Sequence, residues 1–196
     1  EGLGNPLPEA MPRALPKPPK AEVTTSQPLS MFARPGNAGV STRKVAIFVG
    51  DGVDGDQVAA AQQALLAAGA VGRLVGHRVG MYTAKDGSQI DADASFENEP
   101  SVLFDGVIIP DGEGTAKVWA RDGRAAEFVK DQFRHLKTIA ALGEAVAFVE
   151  GAGILNDEQD PGLFLQSEPE EGVIEQFLQA LAQHKHFGRE TDPPML

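Results

Sequence analysis

Cysteine is absent from the 196 residues, which excludes disulfides, thiolate metal sites and cysteine nucleophiles together. Aromatic residues are scarce at 6%, with Trp119 and Tyr82 the single representatives of their kinds, and a lone tryptophan in such a chain more often anchors a core or a subunit contact than a ligand. Basic residues are outnumbered, 17 against 28 acidic ones, for a formal charge of −11; nucleic acid and anionic membrane are therefore not expected partners. No apolar run approaches the length of a membrane span, and no serine sits in a G-x-S-x-G elbow. The first residues lack the charged-then-apolar layout of a signal peptide, and with the missing cysteine this fits a cytoplasmic location.

What is present centres on KVAIFVGDGVDGDQV, from Lys44 to Val58. Val45 to Val49 is an unbroken apolar run rich in β-branched residues, the pattern of a strand buried on both faces. Gly50, Gly52 and Gly55 form a turn, and Asp54 or Asp56 is placed to cap the helix that follows, with Val58, Ala61, Leu65 and Leu66 on its inner face. Beyond Gly69, a C-cap glycine, Val71 to Val75 reads as a second strand and Gly80 to Ile90 as a hairpin turning at Asp86-Gly87, with Met81, Thr83 and Ile90 in its arms. Asp91 to Ser101 is polar and reads as loop. Val107 to Ile109 is a buried strand, followed by a helix over 115–136 that Gly123 breaks in two; its inner face is Ala125, Val129, Phe133 and Leu136. Thr138 to Leu142 is a strand, Gly143-Glu144 a turn, and Ile154 and Leu163 mark two weaker strands. A last helix spans 173–184 with Ile174, Phe177, Leu178 and Leu181 on one face. Strands alternating with helices predict an α/β fold: a doubly wound, mostly parallel sheet with helices on both faces.

The chain divides by composition into a Pro-rich extended linker over 1–42, a domain over 43–188 and a frayed tail over 189–196. Eight of the fourteen prolines lie before residue 43. That first segment reads either as a disordered tail or as a strap crossing a partner domain, anchored by Leu29, Met31 and Phe32. The start at Glu1 without an initiator methionine suggests a piece of something longer.

Chemistry candidates are few. Asp51, Asp54 and Asp56 are the right ligand type for a hard cation, but the spacing is not that of an EF-hand, and capping explains them as well. Without a Walker lysine, and with its own negative charge, the same turn is not expected to cradle phosphate. Of the four histidines, His135 reads as a helix end, and His184 and His186, an i, i+2 pair, as exposed tail residues; His77 has no evident role. Ser101 and Ser167 have no evident partners for a nucleophilic triad. No metal site is expected.

Several separated stretches, in order, point to one family. RKVAIFVGDGVDG (43–55), the preceding EVTTSQPLSMFARPG (22–36), and FRHLKTIA (133–140) with the following ALGEA (141–145) resemble the C-terminal domain, with its linker, of large-subunit haem catalases of the hydroperoxidase II type. The resemblance implies a flavodoxin-like domain of the superfamily that includes class I glutamine amidotransferases and related small proteases and chaperones. Active members carry an acid after the first strand and a cysteine on a sharp turn after a central one. Asp54 matches the acid; Gly143 stands at the cysteine's position, so both are vestigial positions and no catalytic or cofactor-binding residue is expected in this chain.

The resemblance further implies a parent enzyme that decomposes hydrogen peroxide on a haem bound by a catalytic domain upstream of Glu1. Catalase core domains and sister subunits of a homotetramer would be the partners. The expected function is that of a non-catalytic accessory domain stabilising the assembly and modulating substrate access. Two alternatives stand beside it: a chaperone-like module for unfolded clients, and a degenerate amidotransferase- or protease-like hydrolase using Asp54 and a water.

Overall fold

The structure is a computed structural model that describes residues 9, 11–12, 14–15, 17, 19–30, 39–155, 159–168 and 172–190. The chain separates into two compact units, 1–37 and 38–196. In the first, a turn is closed by Leu29 and Ser30 amides donating to the Ser26 carbonyl at 3.1 and 2.9 Å, and Leu29 is exposed. Met31 and Phe32 lie outside the described residues.

The second unit is built on β1 (Lys44–Phe48), which every feature predicted for it fits: Val45 to Val49 are fully buried. Helix α1 (Gly55–Ala67) follows, starting where Asp54 caps it. It ends in a Schellman motif, with Gly69 N–H donating to Leu66 and Ala70 N–H to Leu65. Val58, Ala61 and Leu65 are buried, whereas Leu66 is 77% exposed: at i+8 from Val58 it has rotated off the inner stripe.

Strand β2 (Val71–Gly76) then pairs parallel to β1, and the hairpin of β3 (Gly80–Thr83) and β4 (Gln89–Ala92) forms a separate antiparallel pair. The stretch expected to be loop carries β5 (Ala94–Ser95), an edge strand pairing with β2, and buries Phe96. Two residues of strand are too short to leave a period in the sequence.

Strand β6 (Gly106–Ile109) is fully buried. The next helical stretch does break near Gly123, into α2 (Glu113–Trp119) and α3 (Gly123–Arg134), but it stops before Leu136, whose φ of +62° is incompatible with helix. Strand β7 (Thr138–Leu142), α4 (Ala145–Gly151), β8 (Leu163–Gln166) and α5 (Val173–Leu181) complete the unit. Ile154 is buried but not in a strand. The six-stranded sheet runs β5-β2-β1-β6-β7-β8, with every pairing parallel.

Helices α1 and α5 share one face of the sheet, and α2, α3 and α4 the other. On the second face Phe48 meets Phe96, Trp119 and Phe128 at ring separations of 4.7, 5.7 and 5.2 Å, and Trp119 extends the cluster to Phe148. Each such pair adds about 0.5–1.5 kcal/mol beyond the area it buries. Trp119 is thus a core anchor. This α/β sandwich directs the carboxyl ends of β1, β6 and β7 to one edge, where a site in such a sheet belongs. Among the described residues no helix is long and apolar enough to cross a membrane.

Candidate functional site

Three connections meet at that edge. The turn after β1 is held from several sides. Asp51 Oδ1 accepts from the Thr83 amide at 2.9 Å, Gly52 N–H donates to the Thr83 carbonyl at 2.7 Å, and Lys85 N–H to the Val53 carbonyl at 2.9 Å. The hairpin is therefore seated on the glycine turn. Asp54 Oδ1 accepts from Gln57 N–H at 3.0 Å as the helix N-cap, while Asp56 is exposed in the first helical turn. The three carboxylates serve three separate ends, and among the described residues no group of three or more His, Asp or Glu could hold a metal.

Gly50, Gly52 and Gly55 do stand at G-x-G-x-x-G spacing, a match that the argument from charge overlooked. Here the spacing makes no phosphate cradle. A Cβ on Gly55 would meet Ala84 at 3.2 Å and Ser88 at 3.3 Å, so the hairpin occupies the approach, and acids line the turn.

The turn after β7 is made at a glycine with left-handed backbone. Gly143 has φ +57°, and its N–H donates to the Gln166 carbonyl at 2.7 Å. A Cβ at this position would lie 2.2 Å from Asp111 Oδ1 and 2.3 Å from its Cγ. The Asp111 carboxylate, at the end of β6, thus fills the space that a side chain at 143 would claim. Its Oδ1 accepts from Glu144 N–H at 2.8 Å, tying it to the first turn of α4.

Asp111 is fixed in turn by the first connection. Its N–H donates to Gln57 Oε1 at 2.8 Å, and its carbonyl accepts from Asp54 N–H at 2.8 Å. Asp54 and Gly143, singled out from the sequence, are linked through Asp111, which sequence reasoning passed over as a turn residue. Its signal was its place directly after β6 and Pro110, at the carboxyl edge.

A cavity of about 440 Å³ opens beside Gly143, walled by Leu142, Val173 and Ile174 with Gln57, Asp111, Gln166, Ser167 and Glu168 among its polar groups. Ser167 lies at its rim. A second, of about 390 Å³, lies among Gly52, Lys85, Asp111, Gly114 and Glu144. No histidine lines either.

The other candidates lie elsewhere. His77 Nδ1 is 3.1 Å from the buried Tyr82 hydroxyl, which donates to the Arg78 carbonyl. His135 ends α3 as expected. Ser101 is buried, its hydroxyl and carbonyl both accepting from Gln132. His184 and His186 are not helix residues, since α5 ends at Leu181, and His186 is buried rather than an exposed tail group. Arg189, expected in a frayed end, is 5% exposed and paired with Asp160.

The fold is that of a flavodoxin-like domain. Residues 41–191 match the C-terminal domain found in long catalases, and the chain belongs to that family. It is 31% identical over 171 residues to Catalase HPII of Pseudomonas putida, covering 87% of this chain and 23% of that protein. To Catalase HPII of Pseudomonas aeruginosa it is 32% identical over 152 residues, covering 78% and 21%. The chain therefore spans about a quarter of the length of these curated relatives. Among solved structures, Drosophila melanogaster DJ-1beta matches with a TM-score of 0.61 at 17% identity, covering 74% of this chain and 91% of that one. That likeness is one of fold.

Proposed function

We propose that this chain is a non-catalytic accessory domain of a larger haem catalase that decomposes hydrogen peroxide. In this reading residues 1–42 are its linker, 43–188 the domain and 189–196 its tail, and it stabilises a tetrameric assembly and modulates substrate access. The observation that carries the proposal is Asp111 seated where a nucleophile at position 143 would be, in a chain of this family. Asp54, the remaining acid, is engaged as a helix cap and has no second catalytic group beside it.

Three of the described residues that could ligate a haem iron are engaged within the chain. Tyr82 is buried with its hydroxyl committed to Arg78, His186 is held against Thr138, and His184 against Arg43. Haem in this reading belongs to the remainder of the long catalase, with the core domain and sister subunits as partners.

Two measurements test the proposal. The purified chain should show neither peroxide turnover nor haem absorbance. A long catalase of this family lacking the domain should keep its haem and lose thermal stability. Turnover by the isolated chain, or unchanged stability on deletion, would overturn it.

A second reading has one observation in its favour: Met11, Leu15, Val23 and Leu29 of the first unit are all exposed. A chain presenting them could hold unfolded clients. Suppression of thermal aggregation of a test protein, abolished by Leu29→Ser together with Met11→Ser, is the expected result, and equal suppression by an unrelated acidic protein removes the reading.

A further inference from the structure

At the opposite edge of the sheet from the turn at Gly143, the segment 184–190 lies across the start of β7 and the turn that precedes it. His186 N–H donates to the Leu136 carbonyl at 2.8 Å, Lys185 Nζ to the His135 carbonyl at 2.6 Å, and Arg189 Nη1 to the Lys137 carbonyl at 2.6 Å. Arg189 also grips Asp160 through both Nε and Nη2 and stacks on the Phe133 ring at 4.9 Å. One short stretch thereby satisfies three successive carbonyls that no regular element engages.

Two of its side chains are histidines, His186 buried and His184 exposed beside a cation. His186 is 3% exposed, with Nε2 2.9 Å from Thr138 Oγ1 and its ring against Gly162, where a Cβ would come within 2.0 Å of it. His184 Nδ1 lies 3.0 Å from Arg43 Nη1. A guanidinium has no lone pair to accept with, so this nitrogen is the acceptor, and a protonated His184 would face Arg43 as a second cation.

We propose that segment 184–190 is an acid-released strap: protonation of His184 and His186 detaches it from the turn before β7 while the sheet stays folded. The charged groups around the pair set the direction. His186 is surrounded by Arg189 and His184, which oppose its protonation, and by Asp160, which favours it. His184 is faced by Arg43, Lys185 and Lys137, which oppose it, and by Asp105, which favours it. Burial dominates in both, holding His186 down to about 4 and His184 below its usual range.

Both histidines therefore bind protons more weakly in the closed strap than in the open one. The strap is fully held above the usual histidine range near pH 6.5 and loosens as pH falls toward 4. Opening removes His186, Gly188 and Arg189 from the wall of a cavity of about 380 Å³ and uncovers Phe133 and Leu163 on its other side.

The test is amide exchange of the 196-residue chain by NMR at pH 7 and pH 5, with protection corrected for the intrinsic rate. From His186 alone, protection of the His186 and Arg189 amides should fall about 20-fold between these pH values, with Ala46 and Ile108 unchanged. His186→Gln should flatten that dependence. If the variant does not fold, titration of the His186 ring nitrogens in the unaltered chain decides, since a midpoint near 4 supports the strap and one near 6.5 overturns it. Parallel loss of protection in strap and sheet, or a pH dependence that survives when His184 and His186 are both replaced by Gln, also overturns it.

Discussion

Replacing Gly143 by cysteine should weaken this fold through its contact with the Asp111 side chain. The new Cβ would lie 2.2 Å from Asp111 Oδ1, well inside contact distance. The backbone at 143 is pinned by its bond to Gln166, so the cheaper relief is rotation of the Asp111 side chain. Rotation breaks the bond to Glu144 N–H, a hydrogen bond to a charged group worth about 1.5–3 kcal/mol. A residue other than glycine at φ +57° adds about 1–2 kcal/mol.

Gly143→Cys should therefore cost about 2.5–5 kcal/mol. For a domain of this size that is a fall in Tm of the order of 10 °C. The decisive measurement is a double-mutant cycle with Asp111→Ala, by urea unfolding monitored at Trp119. Once Asp111 is truncated the two closest contacts and the cap are already gone, and Gly143→Cys should then cost the backbone term and a remaining contact with the Cβ at 111, 2.9 Å away. The coupling between the two sites should be about 1.5–3 kcal/mol. Additivity within about 0.5 kcal/mol would show that Asp111 does not fill the space beside Gly143.

Other consequences can be tested in the same system. Asp54→Ala should cost about 1 kcal/mol, as loss of an N-cap does, without creating or abolishing any activity; a loss several times larger would indicate a role beyond capping. Trp119→Ala should cost about 3–5 kcal/mol, because the ring joins Phe48 and Phe148 at the centre of one face, and a urea midpoint close to that of the unaltered chain would refute this. Burial holds Lys137 down to about 8, with its ammonium bonded to the Ser101 and Phe104 carbonyls. The folded chain thus binds this proton less tightly than the unfolded one, and stability should rise as pH climbs from about 8 toward the usual lysine range. Lys137→Met should remove that rise in unfolding midpoints.

Local patterns reached far in this chain because parallel strands buried on both faces leave unbroken apolar runs. Val45 to Val49, Val107 to Ile109 and Thr138 to Leu142 could be placed without any partner in view, and the capping aspartate and Gly69 marked the ends of α1. The features missed were those with no period to read. Strand β5 is two residues long, Ile154 is buried by packing alone, and Leu136 is taken out of helix by its position in a turn. His186 and Arg189 followed the last helix and looked like an end, because nothing in their neighbours indicates that Thr138, Asp160 and Gly162 lie beneath them.

By itself the sequence determined the order of strands and helices, the absence of a thiol, and the glycine at position 143, since these depend on residue type and near-neighbour spacing. What the tertiary structure decided is what stands in the glycine's place. Asp54, Asp111 and Gly143 follow three different strands, and only the parallel alignment of β1, β6 and β7 brings their ends together. A carboxylate 32 residues upstream could not be seen to fill the space beside Gly143 until the sheet set it within bonding distance of the Glu144 amide.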